Sequence, residues 1–431
     1  MTSAQDKESA AEFNRRITTL AADRAVHRAF QWLHLHELQL RRWQLELLAI
    51  PAPPFNESAR AAWFLSRFTE LGLHNPHLDA AGNVLAEIPS SSARHDQVPQ
   101  GFSLGSHDSL REEGALAPAN SHVILISAHL DTVFPIGTDT TPREEDAVIH
   151  GPGACDNGAG LTALLALAAA LRHADIKPAT TILFAANVGE EGEGDLRGMR
   201  QLFSSESEYF QRITTAIAID APGNATVIDR ALGSRRLRVT VTGPGGHSWA
   251  DFGIANPVVA LSAAIQALSK LKLSTNPRTT LNIGTISGGT SVNSIPASAA
   301  AGLDLRSTSA LELDRLELAV LKTLEDALKP HKGELVLRVE RIGDRPSGAL
   351  SPSSPLAQTL RAVDRHLSIK TSAHVGSTDA NLPMSLNIPA LAIGAGGTAG
   401  NMHTVHEWFD PTGRDLALRR ILLLLLGLSA Q

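Results

Sequence analysis

Three apolar runs, Val123–Ser127, Thr180–Ala186 and Ile213–Ile219, each stop at side chains that can bind a metal or carry a proton. Short apolar runs of this length, bounded by polar turns, read as strands buried on both faces, as in a parallel sheet. The first gives way to His129-Leu130-Asp131, the second to Glu190-Glu191 set among glycines, and the third to Asp220-Ala221-Pro222-Gly223. Open α/β folds form their sites just outside the carboxyl ends of such strands. A solvated acidic loop accounts for any one of these endings. It accounts poorly for three, so the recurrence ties the fold class to the position of the site.

Each ending has its own chemistry. Side chains two apart in an extended backbone share a face, so Asp131 can accept a hydrogen bond from one nitrogen of His129 while the other nitrogen binds a metal. Farther along, Gly151, Gly153, Gly158 and Gly160 bracket Asp156-Asn157, after which small and apolar residues continue as a helix toward Leu171. Glycine permits a tight loop and a close helix–strand approach. Asp156, near the helix start, can then meet a cation with either or both carboxylate oxygens. Glu190 and Glu191 point to different sides of the chain, so one can bind metal while the other handles a proton.

The segments SAHLDTVF, GPGACDNGAG, VGEEGEGDLRG, IDAPG, GPGGHSWADFG and MHTVHEWF occur in this order along the chain. In that order they resemble the di-zinc metallopeptidase family of tripeptidases, glutamate carboxypeptidases, acetylornithine deacetylase, succinyl-diaminopimelate desuccinylase and aminoacylases. The likeness runs from Gln44 to Pro411. It implies that His129 is a metal ligand with Asp131 as its orienting partner, and that Asp156 bridges two metals, commonly across a cis peptide to Asn157. It implies that Glu190 is the general base, that Glu191 and Asp220 are ligands, and that His403 rather than His406 is the last ligand, supported by Glu407. Two Zn2+ ions per chain are implied, with Co2+ or Mn2+ as substitutes, one held by His129 and Asp220 and the other by Glu191 and His403.

The same resemblance gives the fold class: an α/β catalytic domain with a central mixed sheet flanked by helices, interrupted by a smaller α+β lid. The sequence supports the interruption independently. Candidate ligands cease between Leu232 and Arg341, and the segments Arg235–Thr242, Pro257–Leu271, Thr280–Ile286, Ala299–Leu305, Glu312–Leu328 and Glu334–Glu340 alternate as βαββαβ. The expected division is therefore residues 1–231 and 343–431 for the catalytic domain and 232–342 for the lid, which in such families often also pairs two chains. By resemblance, His247 in the lid stabilises an oxyanion, Asn293 and Arg306 meet the substrate carbonyl or carboxylate, and Ser377, Asp379, Gly396 and Gly397 belong to the substrate loops.

The remainder of the chain narrows the function classes. With 38 Lys and Arg against 44 Asp and Glu, the formal charge is −6, and aromatics make up 4% of residues. Neither value offers attraction to nucleic acid or to an anionic membrane. The single cysteine, Cys155, excludes a disulfide framework, fits a cytoplasmic location and is assigned to packing. The N-terminal residues lack the apolar core of a signal peptide, and the apolar run Ile421–Leu428 is too short to span a membrane and reads as a buried terminal helix. Residues 20–48 carry a helical pattern, Asn56 can cap a helix over Glu57–Leu73, and residues 90–120, with His95 and His107, read as a surface insertion.

The expected reaction is metal-dependent hydrolysis of an amide bond in a small peptide bearing a free carboxylate, as in a dipeptidase, tripeptidase or carboxypeptidase. Glu190 would take the proton of the attacking water and pass it to the leaving amine. An N-acyl-amino-acid deacylase is the alternative within enzymes, because acyl group and peptide differ on one side of the bond only. A non-catalytic peptide-binding or structural protein of the same fold is the alternative from outside them.

Overall fold

The structure is a computed structural model that describes residues 9–91 and 122–430. The insertion expected at 90–120, including His95 and His107, lies almost wholly outside the described residues.

The three apolar runs form the centre of a nine-stranded mixed sheet. Strand Val123–His129 pairs in parallel with Thr181–Asn187 on one side and Ile213–Ile219 on the other, and Ala390–Ile393 extends the parallel set. Every residue of Val123–His129 and of Thr181–Asn187 is buried, which explains their largely apolar sequence. The hairpin His74–Leu78 and Val84–Ile88 adds an antiparallel edge. Its turn is held by Asp79, whose Oδ1 accepts the N–H groups of Ala81, Gly82 and Asn83.

Helix Gly158–His173 packs on the central strands with nearly all of its residues buried. It is covered in turn by Arg24–Leu35, Glu37–Leu48 and the C-terminal Arg414–Ser429. The helical pattern over 20–48 is broken in the structure. The helices are Ala10–Ala21, Arg24–Leu35 and Glu37–Leu48. The first break falls at Asp23, whose carboxylate accepts the N–H groups of Ala25 and Val26 and so caps a new helix start. Asn56 is not a cap. The following helix is Ser58–Glu70, with Glu57 at its N-cap position, and Glu57 instead pairs with Arg197 at 2.9 Å.

Residues 233–345 form a separate four-stranded antiparallel sheet, in the order Thr279–Gly288, Ser298–Ser307, Gly233–Thr242, Val336–Arg345. Helices Pro257–Leu268 and Ala310–Leu328 bury its inner face in a second core that includes Leu237, Val239, Leu261, Leu305 and Val320. The outgoing strand continues to Arg345, past the boundary expected at residue 342. Asn381 ties both crossings together, donating to the carbonyls of Leu232 at 2.9 Å and Pro346 at 3.0 Å. Among the described residues no helix is long and apolar enough to cross a membrane.

Candidate metal centre

His129 closes its strand in register with Asn187, which sets it beside the turn that carries Glu190 and Glu191. Asp131 is fully buried and holds that turn: Oδ1 accepts the Glu190 N–H at 2.9 Å and Oδ2 the Glu191 N–H at 2.7 Å. Asp131 also holds the His129 ring, with its main chain nearer than its carboxylate. Its Nδ1 lies 3.0 Å from the Asp131 carbonyl and 3.6 Å from the carboxylate Oδ1. The carboxylate is engaged by two backbone donors, so the main chain supplies the closer acceptor and Nε2 faces the site.

The Asp156 loop is fixed from two directions. Asn157 caps the helix Gly158–His173 by accepting the Gly160 N–H at 3.1 Å, and its Nδ2 donates to the Ile219 carbonyl at 2.9 Å, next to Asp220. A Cβ on Gly160 would stand 2.6 Å from that carbonyl, so the close approach of helix to strand requires glycine there. On the other side Glu407, with no exposed surface, accepts the N–H groups of Gly153 at 3.2 Å, Cys155 at 2.7 Å and Asp156 at 2.8 Å. Glu407 was expected to support His403. Its hydrogen bonds support the Asp156 loop instead, because three backbone donors converge on its carboxylate. The peptide bond between Asp156 and Asn157 is cis.

Asp156 stands between two imidazoles. Its Oδ1 is 3.1 Å from His129 Nε2 and its Oδ2 is 2.8 Å from His403 Nε2, while His403 Nε2 is also 3.4 Å from Glu191 Oε1. His403 reaches this position from the loop between the paired strands Thr398–Gly400 and Trp408–Asp410, with its backbone at φ 63°. That left-handed conformation costs a non-glycine residue about 1–2 kcal/mol. His406 is exposed, and none of its hydrogen bonds reaches Asp156 or Glu191.

The donor set fits a metal ion. His129, Asp156 and Glu191 offer ligand atoms that all lie within 4.8 Å of one another. Donors of a tetrahedral ion with bonds of about 2.0–2.2 Å lie roughly 3.3–3.6 Å apart. The charge balance agrees. Burial, followed by the Asp156 charge, pushes the Asp220 carboxyl up to about 7. Burial pushes Asp379 up to about 6 and raises Glu190 well above the usual carboxylate range against the attraction of Arg345. Asp156 runs the other way: burial opposes its ionisation, but hydrogen bonds and charge from His129 and His403 outweigh it. Hydrogen bonds to Asp156 and Glu191 raise His403 to about 10, and His129 is raised although burial opposes it. A cluster this rich in buried carboxylates is relieved by a divalent cation.

Around this centre the structure distributes the other expected residues unevenly. Ser377 Oγ lies 3.2 Å from Arg345 Nη1, and that guanidinium also lies 2.8 Å from Glu190 Oε1. Arg345 escaped the sequence reading, since a lone arginine at a strand end belongs to no motif. Asp379, Gly396 and Gly397, expected in substrate loops, are all buried. Asp379 accepts from Asn187 Nδ2 at 2.8 Å. The Gly396 carbonyl accepts the Gly223 N–H at 3.0 Å, and a Cβ on Gly397 would stand 2.3 Å from the Asp410 carbonyl.

His247, Asn293 and Arg306 lie on the smaller unit, and none of their hydrogen bonds or ion pairs reaches the cluster. His247 Nδ1 accepts the N–H groups of Trp249 and Ala250, Asn293 accepts the Ser291 hydroxyl, and Arg306 donates to Asp304 at 2.7 Å. Cys155 is buried, and burial raises its thiol far out of the nucleophilic range.

Comparison with known proteins adds to this geometry. A sequence profile of peptidase family M20/M25/M40 matches residues 125–425. A probable carboxypeptidase of Aspergillus flavus is 27% identical over 202 residues, 42% of this chain and 47% of its own length. The chain thus spans about half the length of the curated carboxypeptidases it matches. The succinyl-diaminopimelate desuccinylase of Corynebacterium glutamicum is 26% identical over 349 residues, 74% of this chain and 90% of the desuccinylase. Among solved structures, a tripeptidase of Staphylococcus aureus superposes with a TM-score of 0.71 at 21% identity, covering 92% of this chain and 99% of the tripeptidase. That last likeness is one of fold.

Proposed function

Since this chain belongs to peptidase family M20/M25/M40, we propose that it hydrolyses the amide bond of small peptides bearing a free carboxylate, with two zinc ions per chain. The observation that carries this reading is the single Asp156 carboxylate facing His129 on one oxygen and His403 on the other. In the proposal Asp156 is shared, His129 and Asp220 complete one metal position, and Glu191 and His403 complete the other. Ions held there supply Lewis acidity, polarising an amide carbonyl and making water a nucleophile at neutral pH.

The chain's own residues do the rest. Glu190, kept basic by burial, accepts the proton of the attacking water at its carboxylate and returns it to the departing amine nitrogen. Asp131 holds the backbone of both glutamates, so the base and the neighbouring ligand stay in fixed relation. His247 is exposed on the smaller unit and is assigned the developing oxyanion, reached when that unit closes or from a second copy of the chain. Arg306, partly exposed beside Asp304, is assigned the substrate carboxylate. We assign the working protein to the cytoplasm, on the strength of one buried, unpaired cysteine, and to a homodimer formed through the smaller unit.

The desuccinylase match, which covers most of this chain, favours an N-acyl-amino-acid deacylase as the second reading. One experiment separates them: zinc-reconstituted protein assayed against free-carboxylate dipeptides, tripeptides and N-acyl amino acids, with metal content measured alongside. Peptide cleavage with close to two zinc ions per chain is the expected result. Turnover confined to N-acyl amino acids would select the deacylase, and full zinc occupancy without turnover on any of these substrates would overturn both.

A further inference from the structure

We propose that Arg345 is a positioning residue for Glu190, and that through it the smaller unit sets the orientation of the proton-transfer carboxylate. The inference rests on the reading of Glu190 as the proton carrier. Its structural part can be tested without turnover.

Arg345 is the last residue of the strand Val336–Arg345, by which the chain leaves the smaller sheet, and it is 5% exposed. Its guanidinium holds Glu190 at two points. Nη1 donates to Oε1 at 2.8 Å, and Nη2 donates to the Glu190 backbone carbonyl. One planar group bound to both the main chain and the side chain of a residue fixes its side-chain torsions as well as its position. Ser377 Oγ, 3.2 Å from Nη1, helps to hold the guanidinium in place. With Oε1 engaged, the proposal assigns the attacking water to Oε2.

The segment that carries Glu190 is gripped by the smaller unit elsewhere too. Arg236, on the incoming strand Gly233–Thr242, donates through Nη1 to the Gly192 carbonyl at 2.6 Å. The Asp195 carboxylate accepts the N–H of Asp344, the residue before Arg345, at 3.1 Å. Both strands that join the smaller sheet to the larger one therefore contact the segment 190–195. Pre-organisation of a reacting group is sensitive to such contacts, since a displacement of about 1 Å can cost on the order of 100-fold in rate.

The test compares Arg345→Met and Arg345→Lys with the wild-type, zinc-loaded chain. Turnover, KM, zinc content and hydrogen exchange of the backbone amides in residues 189–195 are measured. For Arg345→Met the proposal expects kcat to fall about 100-fold with KM changed by less than about threefold, zinc content to hold, and exchange in 189–195 to quicken. Arg345→Lys keeps the charge but cannot make both contacts, and should recover about tenfold of the lost kcat. Guanidinium ion added at sub-denaturing concentration should also restore part of the Arg345→Met rate. Wild-type kcat in Arg345→Met would overturn the proposal, and so would unchanged exchange in 189–195. If Arg345→Met does not fold, Arg345→Lys decides by the same two measurements. A wild-type chain that turns over nothing would refute the functional reading, while the exchange measurement would still decide whether Arg345 holds the Glu190 segment.

Discussion

Removing the Glu407 carboxylate should loosen the loop that presents Asp156, and the structure allows the size of the effect to be worked out. Glu407 accepts three backbone N–H groups, with Oε1 serving Cys155 and Asp156 and Oε2 serving Gly153. Hydrogen bonds to a charged acceptor contribute about 1.5–3 kcal/mol, and a buried donor left without a partner costs about 1–3 kcal/mol. Glu407→Gln keeps the shape and one acceptor oxygen but turns an NH2 toward the Gly153 N–H, a loss of about 1–3 kcal/mol. Glu407→Ala strands all three donors, and water entering the gap recovers part of the loss, leaving about 3–6 kcal/mol. The pH dependence has a definite sign. Burial raises Glu407 to about 7 in the metal-free chain, so the folded state binds this proton more tightly than the unfolded state. That contribution is fully present below the ordinary carboxylate value of 4.5 and is lost as pH rises through about 7. Wild type therefore gains stability as pH falls from 8 to 5.5 while Glu407→Gln, which has no proton to take up at this position, does not, so the gap between them should widen over that range. Urea denaturation of metal-free protein at those two pH values measures the stabilities, and zinc titration should show affinity reduced about 10- to 100-fold, as for other groups that orient a ligand. A Glu407→Ala chain within about 0.5 kcal/mol of wild type at pH 8, or with wild-type zinc affinity, would refute this reasoning.

Three further outcomes test the assignments at the centre. Glu190→Gln should keep its metals and lose about 100-fold or more in turnover, whereas Glu191→Gln should lose occupancy at one metal; near-normal activity in Glu190→Gln would remove it as the base. His403→Ala should lose one metal position and His406→Ala neither, and the reverse pattern in zinc titrations would exchange their roles. Because Asp156 and Glu191 raise His403 to about 10, the metal-free site holds protons at neutral pH that zinc must displace. Zinc affinity should therefore climb as pH rises from 7 toward 10, with protons released when zinc binds near pH 7.5. Calorimetry in buffers of differing ionisation enthalpy measures the release, and a value of zero would refute the ligand set.

Much of this fold was legible because strand burial is written locally. The runs over 123–127, 180–186 and 213–219 are mostly apolar because those strands are largely covered on both faces, and each is followed by side chains that can bind a metal or carry a proton. The same local logic exposed His129, Asp156, Glu190, Glu191 and Asp220 as candidates, along with the alternating elements of the smaller sheet. What sequence could not supply is how the candidates are held. The Arg345–Glu190 pair joins residues 155 positions apart, and the bond from the Asp156 N–H to Glu407 spans 251. No periodicity relates such residues, because their contact is set by how strands and loops pack. Tertiary packing also decided that the Asp131 carboxylate, 3.6 Å from its histidine, takes two backbone N–H groups as well, and that Asp379, Gly396 and Gly397 are buried. Residue type and spacing determine which atoms can do the chemistry. The fold decides which of them meet and what fills their remaining hydrogen bonds, since a buried polar atom must be paired by whatever group packing brings to it.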